Sequence, residues 1–159
     1  MAASRVLPLN RLLSLIRRER RRGRAIAFTN GCFDLLHSGH LDTFERIKRH
    51  ADFLVVAVNS DASVRRLKGP RRPLVPARER ARLVAALKPV DAVTIFSEST
   101  PLKLIRLIRP DILAKGGDWR PEDIVGRRIV ESTGGKVLVT PYLKGHSTTR
   151  LLHRIRRFS

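Results

Sequence analysis

The residues best suited to chemistry lie in the segment 29–40, which reads TNGCFDLLHSGH. It joins an apolar run to a glycine turn and then to the start of a helical pattern. Glycine permits close backbone approach, and the amides at a helix N-terminus attract phosphate. His37 and His40 are three residues apart, so both imidazoles can face one side of a helical turn and donate hydrogen bonds to phosphate oxygens. The segment favours a phosphate site, although an ordinary polar helix cap, or a metal pair with Asp34 as a third ligand, is also compatible with it.

Two common nucleotide-binding motifs are missing from the sequence. It contains neither the P-loop G-x-x-x-x-G-K-[ST] nor the dinucleotide fingerprint G-x-G-x-x-G. The stretch Gly134-Gly135-Lys136 resembles a P-loop only superficially and is more typical of a turn into a strand. A phosphate site at the two histidines would therefore be of another kind.

The elements that must hold these residues alternate along the chain. Apolar runs predict strands over 25–29, 53–59, 92–96, 112–114 and 136–140. Between and around them, helical patterns predict helices over 9–22, 41–50, 61–67, 77–87, 101–108, 121–132 and 148–156. This alternation predicts an α/β fold: a Rossmann-like, doubly wound, five-stranded parallel sheet with helices on both faces. Ligands bind such sheets at the carboxyl ends of the strands, where the segment 29–40 begins.

The composition indicates a soluble and strongly basic protein. Of 159 residues, 33 are Lys or Arg and 14 are Asp or Glu, so the net charge is +19. This charge indicates anionic partners without selecting among nucleic acid, anionic membrane and small phosphorylated molecules. Cys32 is the single cysteine, which excludes an intrachain disulfide. No apolar run approaches the roughly 18–20 residues of a membrane span, and we expect a cytoplasmic protein.

The first 24 residues are predicted to form a basic, helical N-terminal extension. Leu9, Leu12, Leu13 and Ile16 recur at helical spacing, and the basic run 17–24 contains one acid, Glu19. A basic amphipathic helix can bind a membrane surface or nucleic acid. Because the apolar stripe is short, we favour the alternative in which the helix packs on the domain with its arginines in water.

The motifs, taken in order, resemble those of the cytidylyltransferase-like nucleotidyltransferases. The segment GCFDLLHSGH resembles the first signature of that superfamily, and GHSTT at 145–149 resembles the second. The blocks at 55–76, 78–87, 100–113 and 115–119 are most similar to the adenylyltransferase domain of ADP-heptose synthases. The resemblance implies a nucleotidyltransferase domain over 25–159. It implies transfer of AMP from ATP to D-glycero-β-D-manno-heptose 1-phosphate, which gives pyrophosphate and the lipopolysaccharide precursor ADP-heptose.

The same resemblance implies roles for individual residues. The expected catalytic residues, which contact the reacting phosphates, are His37, His40, Lys68 and Arg80. The expected ATP-binding residues are Asn30, Gly31, Cys32, Phe33, His37, His40, Lys115, Gly116, Gly117, Asp118, Gly145, Ser147, Thr148 and Thr149. The expected acceptor-binding residues are Asp34, Asn59, Asp61, Lys68, Arg71 and Arg72. Mg²⁺ is expected to arrive with ATP, without a metal site built from the chain.

The resemblance also implies partners for the chain, and two alternative functions stay open. ATP and a sugar 1-phosphate are the expected partners, a homodimer is allowed, and the sugar kinase is expected on another chain because no kinase-sized segment precedes the first strand. One alternative is a cytidylyltransferase acting on a small phosphorylated substrate such as glycerol 3-phosphate. Gly117 stands where cytidylyltransferases tend to carry an acid, which favours adenine. Another is a basic nucleic-acid-binding protein, which the low aromatic content of 5% disfavours. The sequence departs from the superfamily at Tyr142, where an arginine is common, and at Lys144, where an acid is common.

Overall fold

The fold is built on a parallel sheet whose strands are buried from both sides. A computed structural model describes residues 5–117, 119–141, 151 and 157. Within them the strands are β1 (Ile26–Gly31), β2 (Phe53–Asn59), β3 (Ala92–Phe96), β4 (Ile112–Gly116) and β5 (Lys136–Thr140). Their order is β3-β2-β1-β4-β5, and every pairing is parallel. All seven residues of β2 are buried, as expected for a central strand covered on both faces. The predicted fold class is confirmed.

Helices cover both faces of this sheet. They are α1 (Leu9–Arg21), α2 (Ser38–Lys48), α3 (Asp61–Lys68), α4 (Ala77–Ala86), α5 (Leu102–Ile108) and α6 (Arg127–Ser132). The continuous helix predicted over 121–132 is wrong: a 3₁₀ turn, Pro121–Asp123, precedes α6. The break falls at Gly126, whose φ of 89° is left-handed. The helix predicted over 148–156 lies outside the described residues except for Leu151. No helix in the described ranges is long and apolar enough to cross a membrane.

The N-terminal helix packs into the same core as the sheet. Leu12 and Ile16 of α1 lie in a hydrophobic cluster with residues of β1, β2, α5 and α6. Just before α1, the Leu7 amide donates to the Val93 carbonyl oxygen at 2.8 Å. The arginines at 17, 18, 21, 22 and 24 are exposed. The helix is thus packed on the domain, as favoured from the sequence, with these arginines exposed and Glu19 buried.

The sheet separates at one place. β1 pairs with β2 from Ile26 through Gly31, but it pairs with β4 only at Ala27 and Phe28. The order of successive strands also reverses here, because the strands proceed from β1 towards β3 on one side and from β4 to β5 on the other. The carboxyl ends of β1 and β4 therefore border a crevice at the topological switch point, where α/β sheets bind ligands.

Candidate active site

Two stacked imidazoles lie where β1 leads into α2. The ring centroids of His37 and His40 are 3.9 Å apart, with 23° between the ring planes. His37 is the N-cap of α2, which begins at Ser38, three residues before the predicted start at 41. The histidines therefore occupy the first turn, where helix amides attract phosphate.

His40 is neutral at neutral pH. Burial lowers its pKa to about 4, and the nearby positive charges of His37 and Lys68 contribute in the same direction. In the part of the chain that the structure describes, its buried Nδ1 atom has no hydrogen-bond partner. A neutral imidazole can donate a hydrogen bond to a phosphate oxygen without bringing a fixed charge.

The loop between β1 and α2 is shaped by Phe33. This residue has a left-handed φ of 49°, which is costly for a side chain other than glycine. Its ring packs edge-on against His40, with centroids 5.2 Å apart, and tilted against Phe44 at 5.4 Å. A Cβ atom on Gly31 would lie 2.9 Å from the Phe33 ring. Gly31 therefore allows Phe33 to fold back and fix one face of His40.

Lys115 spans the crevice between β4 and β1. Its Nζ donates to Asn30 Oδ1 at 2.6 Å and lies 5.8 Å from the centroid of the Trp119 ring. Burial lowers the pKa of Lys115 to about 8, so the ammonium form prevails at neutral pH. Lysine and asparagine thus place a cation at the switch point, in the position expected for contact with a nucleotide.

Arg80 lies inside the protein. Its side chain is fully buried and donates to the carbonyl oxygens of Val75 at 2.7 Å and Asn59 at 2.8 Å, and to that of Cys32. Its Nη2 also forms an ion pair with Asp61 at 2.6 Å. The sequence predicts a phosphate contact for Arg80, but the structure directs its guanidinium to protein acceptors. The guanidinium is fully buried among these acceptors, and the phosphate contact of Arg80 stays a prediction.

The predicted acceptor-binding carboxylates are also engaged internally. Asp34 is buried and accepts hydrogen bonds from Arg72 at 2.6 Å and from the amide of Leu74 at 2.7 Å. Asp61 accepts from the Ala77 amide at 2.9 Å as well as from Arg80. The substrate contacts predicted for Asp34 and Arg72 therefore compete with protein partners already in place, whereas the side chain of Asp61 is 34% exposed and both its bonds are to Oδ1.

The remaining predicted acceptor-binding residues divide by exposure. Asn59 is buried, and its Nδ2 donates to Ser63 Oγ at 3.0 Å. Lys68, the last residue of α3, and Arg71 in the following loop are exposed. Because the charge of Lys68 lowers the pKa of both His40 and Cys32, Lys68 acts electrostatically on the histidine site. Among the predicted acceptor-binding residues, Lys68 and Arg71 are the exposed cations.

Comparison with known proteins places this geometry in a family. Residues 28–154 match the model of the cytidylyltransferase-like proteins. The chain belongs to this family. By that description, the chain is a nucleotidyltransferase. The resemblance stated from the sequence is confirmed.

Two relatives of this cytidylyltransferase-like chain are much longer proteins. The bifunctional protein HldE of Syntrophotalea carbinolica is 55% identical over 137 residues, which are 86% of this chain and 28% of that protein. HldE of Halorhodospira halophila is 52% identical over 155 residues, or 98% of this chain and 32% of that protein. The chain therefore spans less than a third of the length of each of these relatives.

Solved structures share the fold. The lipopolysaccharide core biosynthesis protein from Thermoplasma volcanium is 28% identical, with a TM-score of 0.61 over 78% of this chain and all of that one. Pantoate-β-alanine ligase from Francisella tularensis, crystallised with β-γ ATP and β-alanine, has a TM-score of 0.62 over 97% of this chain and 77% of that one. At 14% identity, the second likeness shows the fold alone.

Supporting residues of the cytidylyltransferase-like site include some that the sequence does not single out. A Cβ atom on Gly116 would lie 3.0 Å from Thr43 Oγ1, so this glycine lets β4 approach α2 closely. The Gly117 amide donates to the Thr140 carbonyl oxygen at 2.8 Å. Neither threonine carries a motif signal, because both act through tertiary contacts. The predicted ATP-binding residues outside the described part of the chain are Asp118, Gly145, Ser147, Thr148 and Thr149.

Cys32 does not have the properties of a nucleophile. It is half-buried, and burial raises the pKa of its thiol. A protonated thiol is a poor nucleophile. The contribution of this residue to the site that the structure shows is its carbonyl oxygen, which accepts from Arg80.

Proposed function

We propose that this chain transfers AMP from ATP to D-glycero-β-D-manno-heptose 1-phosphate, forming ADP-heptose and pyrophosphate. The observation that carries the proposal is the stacked His37–His40 pair beside the switch point of a nucleotidyltransferase fold. The choice of substrate is supported by the ordered sequence blocks and by relatives named HldE at 55% and 52% identity. It is also supported by the likeness to a lipopolysaccharide core biosynthesis protein.

The reaction needs alignment and charge stabilisation more than a reactive side chain. A phosphate oxygen of the sugar attacks the α-phosphorus of ATP, and the bond from that phosphorus to the bridging oxygen of pyrophosphate breaks. The acceptor is already an anionic nucleophile, so no covalent enzyme intermediate is required. Positioned donors that meet the developing charge carry such a reaction.

The chain places suitable donors on two sides of the crevice. His37 and His40 would donate to oxygens of the nucleotide phosphates from the first turn of α2. Lys115, held by Asn30, would add a positive charge from the end of β4. Lys68 would approach from the end of α3, on the histidine side. The charge of the transition state would thereby be met by two imidazole donors and two lysine cations.

Magnesium is proposed to enter as part of the ATP complex. Among the described residues no three His, Cys, Asp or Glu side chains are grouped to hold a metal ion. The carboxylates nearest the motif, Asp34 and Asp61, are paired with Arg72 and Arg80. Mg²⁺ commonly keeps several waters and binds substrate phosphates, which fits this donor set. The ion would neutralise the leaving pyrophosphate.

The sugar 1-phosphate is proposed to come from a separate kinase activity. The two HldE relatives are bifunctional by name, and this chain corresponds to 28% and 32% of their lengths. Their remaining parts are large enough for a second activity.

Pyrophosphate release tests the proposed function. The purified protein is incubated with Mg²⁺ and each pairing of ATP or CTP with heptose 1-phosphate or glycerol 3-phosphate. We expect release only with ATP and heptose 1-phosphate. The variant His40→Gln should lose most of the turnover, whereas His50→Gln, on the exposed residue after α2, serves as the matched control. Release with CTP and glycerol 3-phosphate, but not with ATP and heptose 1-phosphate, would replace the proposal by its alternative.

A further inference from the structure

Two buried charged side chains hold one loop of the site. The loop comprises residues 69–76, between α3 and α4, and we call it the basic loop because it contains Arg71 and Arg72. Asp34, which is 5% exposed, holds it from the β1 side. Oδ1 of Asp34 accepts from the amides of Leu74 at 2.7 Å and Val75 at 3.1 Å. Oδ2 accepts from Arg72 at 2.6 Å.

Arg80 binds the same loop. Its Nε donates to the Val75 carbonyl oxygen at 2.7 Å, so both backbone groups of Val75 are bound by buried charged residues. Its Nη1 donates to the carbonyl oxygens of Cys32, after β1, and Asn59, at the end of β2. One guanidinium thus joins the basic loop to the carboxyl ends of two strands.

We propose that Asp34 and Arg80 are positioning residues, which fix the basic loop against the ends of β1 and β2 and so present Lys68 and Arg71 to the reactant phosphates. We call the hydrogen bonds of Asp34 and Arg80 to this loop the clamp. The identity of the reactants rests on the proposed function, whereas the clamp is independent of it. It differs from the prediction that Asp34 binds the acceptor and that Arg80 contacts phosphate.

The electrostatics of the site favour this division of roles. A buried carboxylate and a buried guanidinium are stable only when hydrogen bonds satisfy them, and leaving one partner unpaired is costly. Asp34 already accepts three hydrogen bonds from the basic loop and is 5% exposed, so its carboxylate offers little surface to a substrate hydroxyl. Arg72 is likewise neutralised by Asp34, and its side chain is only 19% exposed. Arg71 and Lys68 are exposed at either side of Gly69 and Pro70.

A double-mutant cycle separates positioning from direct binding. The variants are Asp34→Asn, Arg72→Gln and the double substitution, and the measurement is kcat/KM with ATP and heptose 1-phosphate. A small displacement of a positioned group can cost about 10²-fold in rate, and we expect a loss of about that size in each single variant. Because both act through one clamp, the double variant should lie within about twofold of the weaker single variant.

Hydrogen exchange of the loop gives a readout that does not depend on turnover. The amides of Leu74 and Val75 are bonded to Asp34, so Asp34→Asn should accelerate exchange in a peptide covering the basic loop by about tenfold or more. The matched control is Glu19→Gln, which removes another buried carboxylate bonded to arginines, far along the chain in α1. It should lower the melting temperature and leave both loop exchange and kcat/KM within about twofold of the wild type.

The possible results lead to different conclusions. Multiplying losses in the double variant, or unchanged loop exchange in Asp34→Asn, would overturn the clamp. If Asp34→Asn does not fold, Arg72→Gln, which keeps both loop amides bonded, is compared with the wild type by the same two measurements. Wild-type exchange together with wild-type kcat/KM in Arg72→Gln would then overturn the clamp. Failure of the wild type to use heptose 1-phosphate would instead contradict the proposed function, while the exchange experiment still decides on the clamp.

Discussion

Replacing His40 with glutamine should make the protein less sensitive to acid. Burial and nearby positive charge lower the pKa of His40 from 6.5 to about 4 in the folded state. The unfolded chain therefore binds a proton at pH values where the folded chain does not, and the free energy of unfolding falls as the pH falls from the unfolded value towards the folded one. At about pH 7.5 both states are neutral at this residue and the term vanishes.

The magnitude follows from the size of the shift. With about 1.4 kcal/mol per pKa unit, the full term is about 3 kcal/mol, and about 2 kcal/mol of it is lost between about pH 7.5 and about pH 5. The assay is urea unfolding of the wild type and His40→Gln at these two pH values. Titrating groups distant from His40 act equally in both proteins, so the difference between them reports His40 together with its coupling to His37.

His50→Gln is the control for this experiment. His50→Gln removes an imidazole from an exposed position just after the same helix, and it should keep the loss of stability seen in the wild type. If the wild type and His40→Gln lose the same free energy of unfolding between the two pH values, the burial argument for a neutral His40 is wrong.

Three further predictions address the crevice, the loop and the N-terminal helix. Lys115→Met should lower kcat/KM by about 10²-fold. It should also abolish the decline of kcat/KM that we expect in the wild type above about pH 8, where Lys115 loses its proton. A pH–rate profile that Lys115→Met leaves unchanged would contradict the role of Lys115. Gly31→Ala, whose new Cβ would lie 2.9 Å from the Phe33 ring, should cost about 1–3 kcal/mol in urea unfolding, and an unchanged midpoint would show that the ring moves freely. Leu12→Ala should cost about 2–5 kcal/mol in a single cooperative transition, because Leu12 is fully buried, and separate unfolding of α1 would show that it is an independent extension.

Strand positions were predictable where the chain is buried on both sides. β2 and β3 begin and end at the predicted residues, because continuous apolar runs in a doubly covered sheet end abruptly at polar or turn residues. β5, an edge strand in which only Thr140 is buried, also has the predicted bounds. β1 and β4 each extend two residues beyond their predicted ends, through Gly31 and Gly116. Those final residues, Asn30-Gly31 and Lys115-Gly116, interrupt the apolar pattern because they line the crevice. Local patterns commonly fail at sites where residues serve a ligand and not the core.

The site was predictable in its motif but not in its internal contacts. The spacing of His37 and His40 on one helical turn is a local property, and the structure stacks the two rings. The positions of Asp34 and Arg80 depend on partners distant in the sequence, and several of these partners are backbone atoms, which leave no trace in residue types. An arginine in a basic protein is usually exposed, so the sequence offers no reason to expect Arg80 in the interior.

The contacts of Arg80 also bear on the order in which parts of the fold can form during synthesis. Each acceptor of its guanidinium precedes it in the chain, by 5 residues for Val75 and by 48 for Cys32. A nascent chain that ends before Arg80 already carries both histidines, yet it lacks the group that binds the carbonyl oxygens of Cys32 and Val75. Contacts of long sequence separation form late because they must overcome a larger loop-closure entropy. The histidine motif, although it is made early, therefore gains this support only after Arg80 has been synthesised.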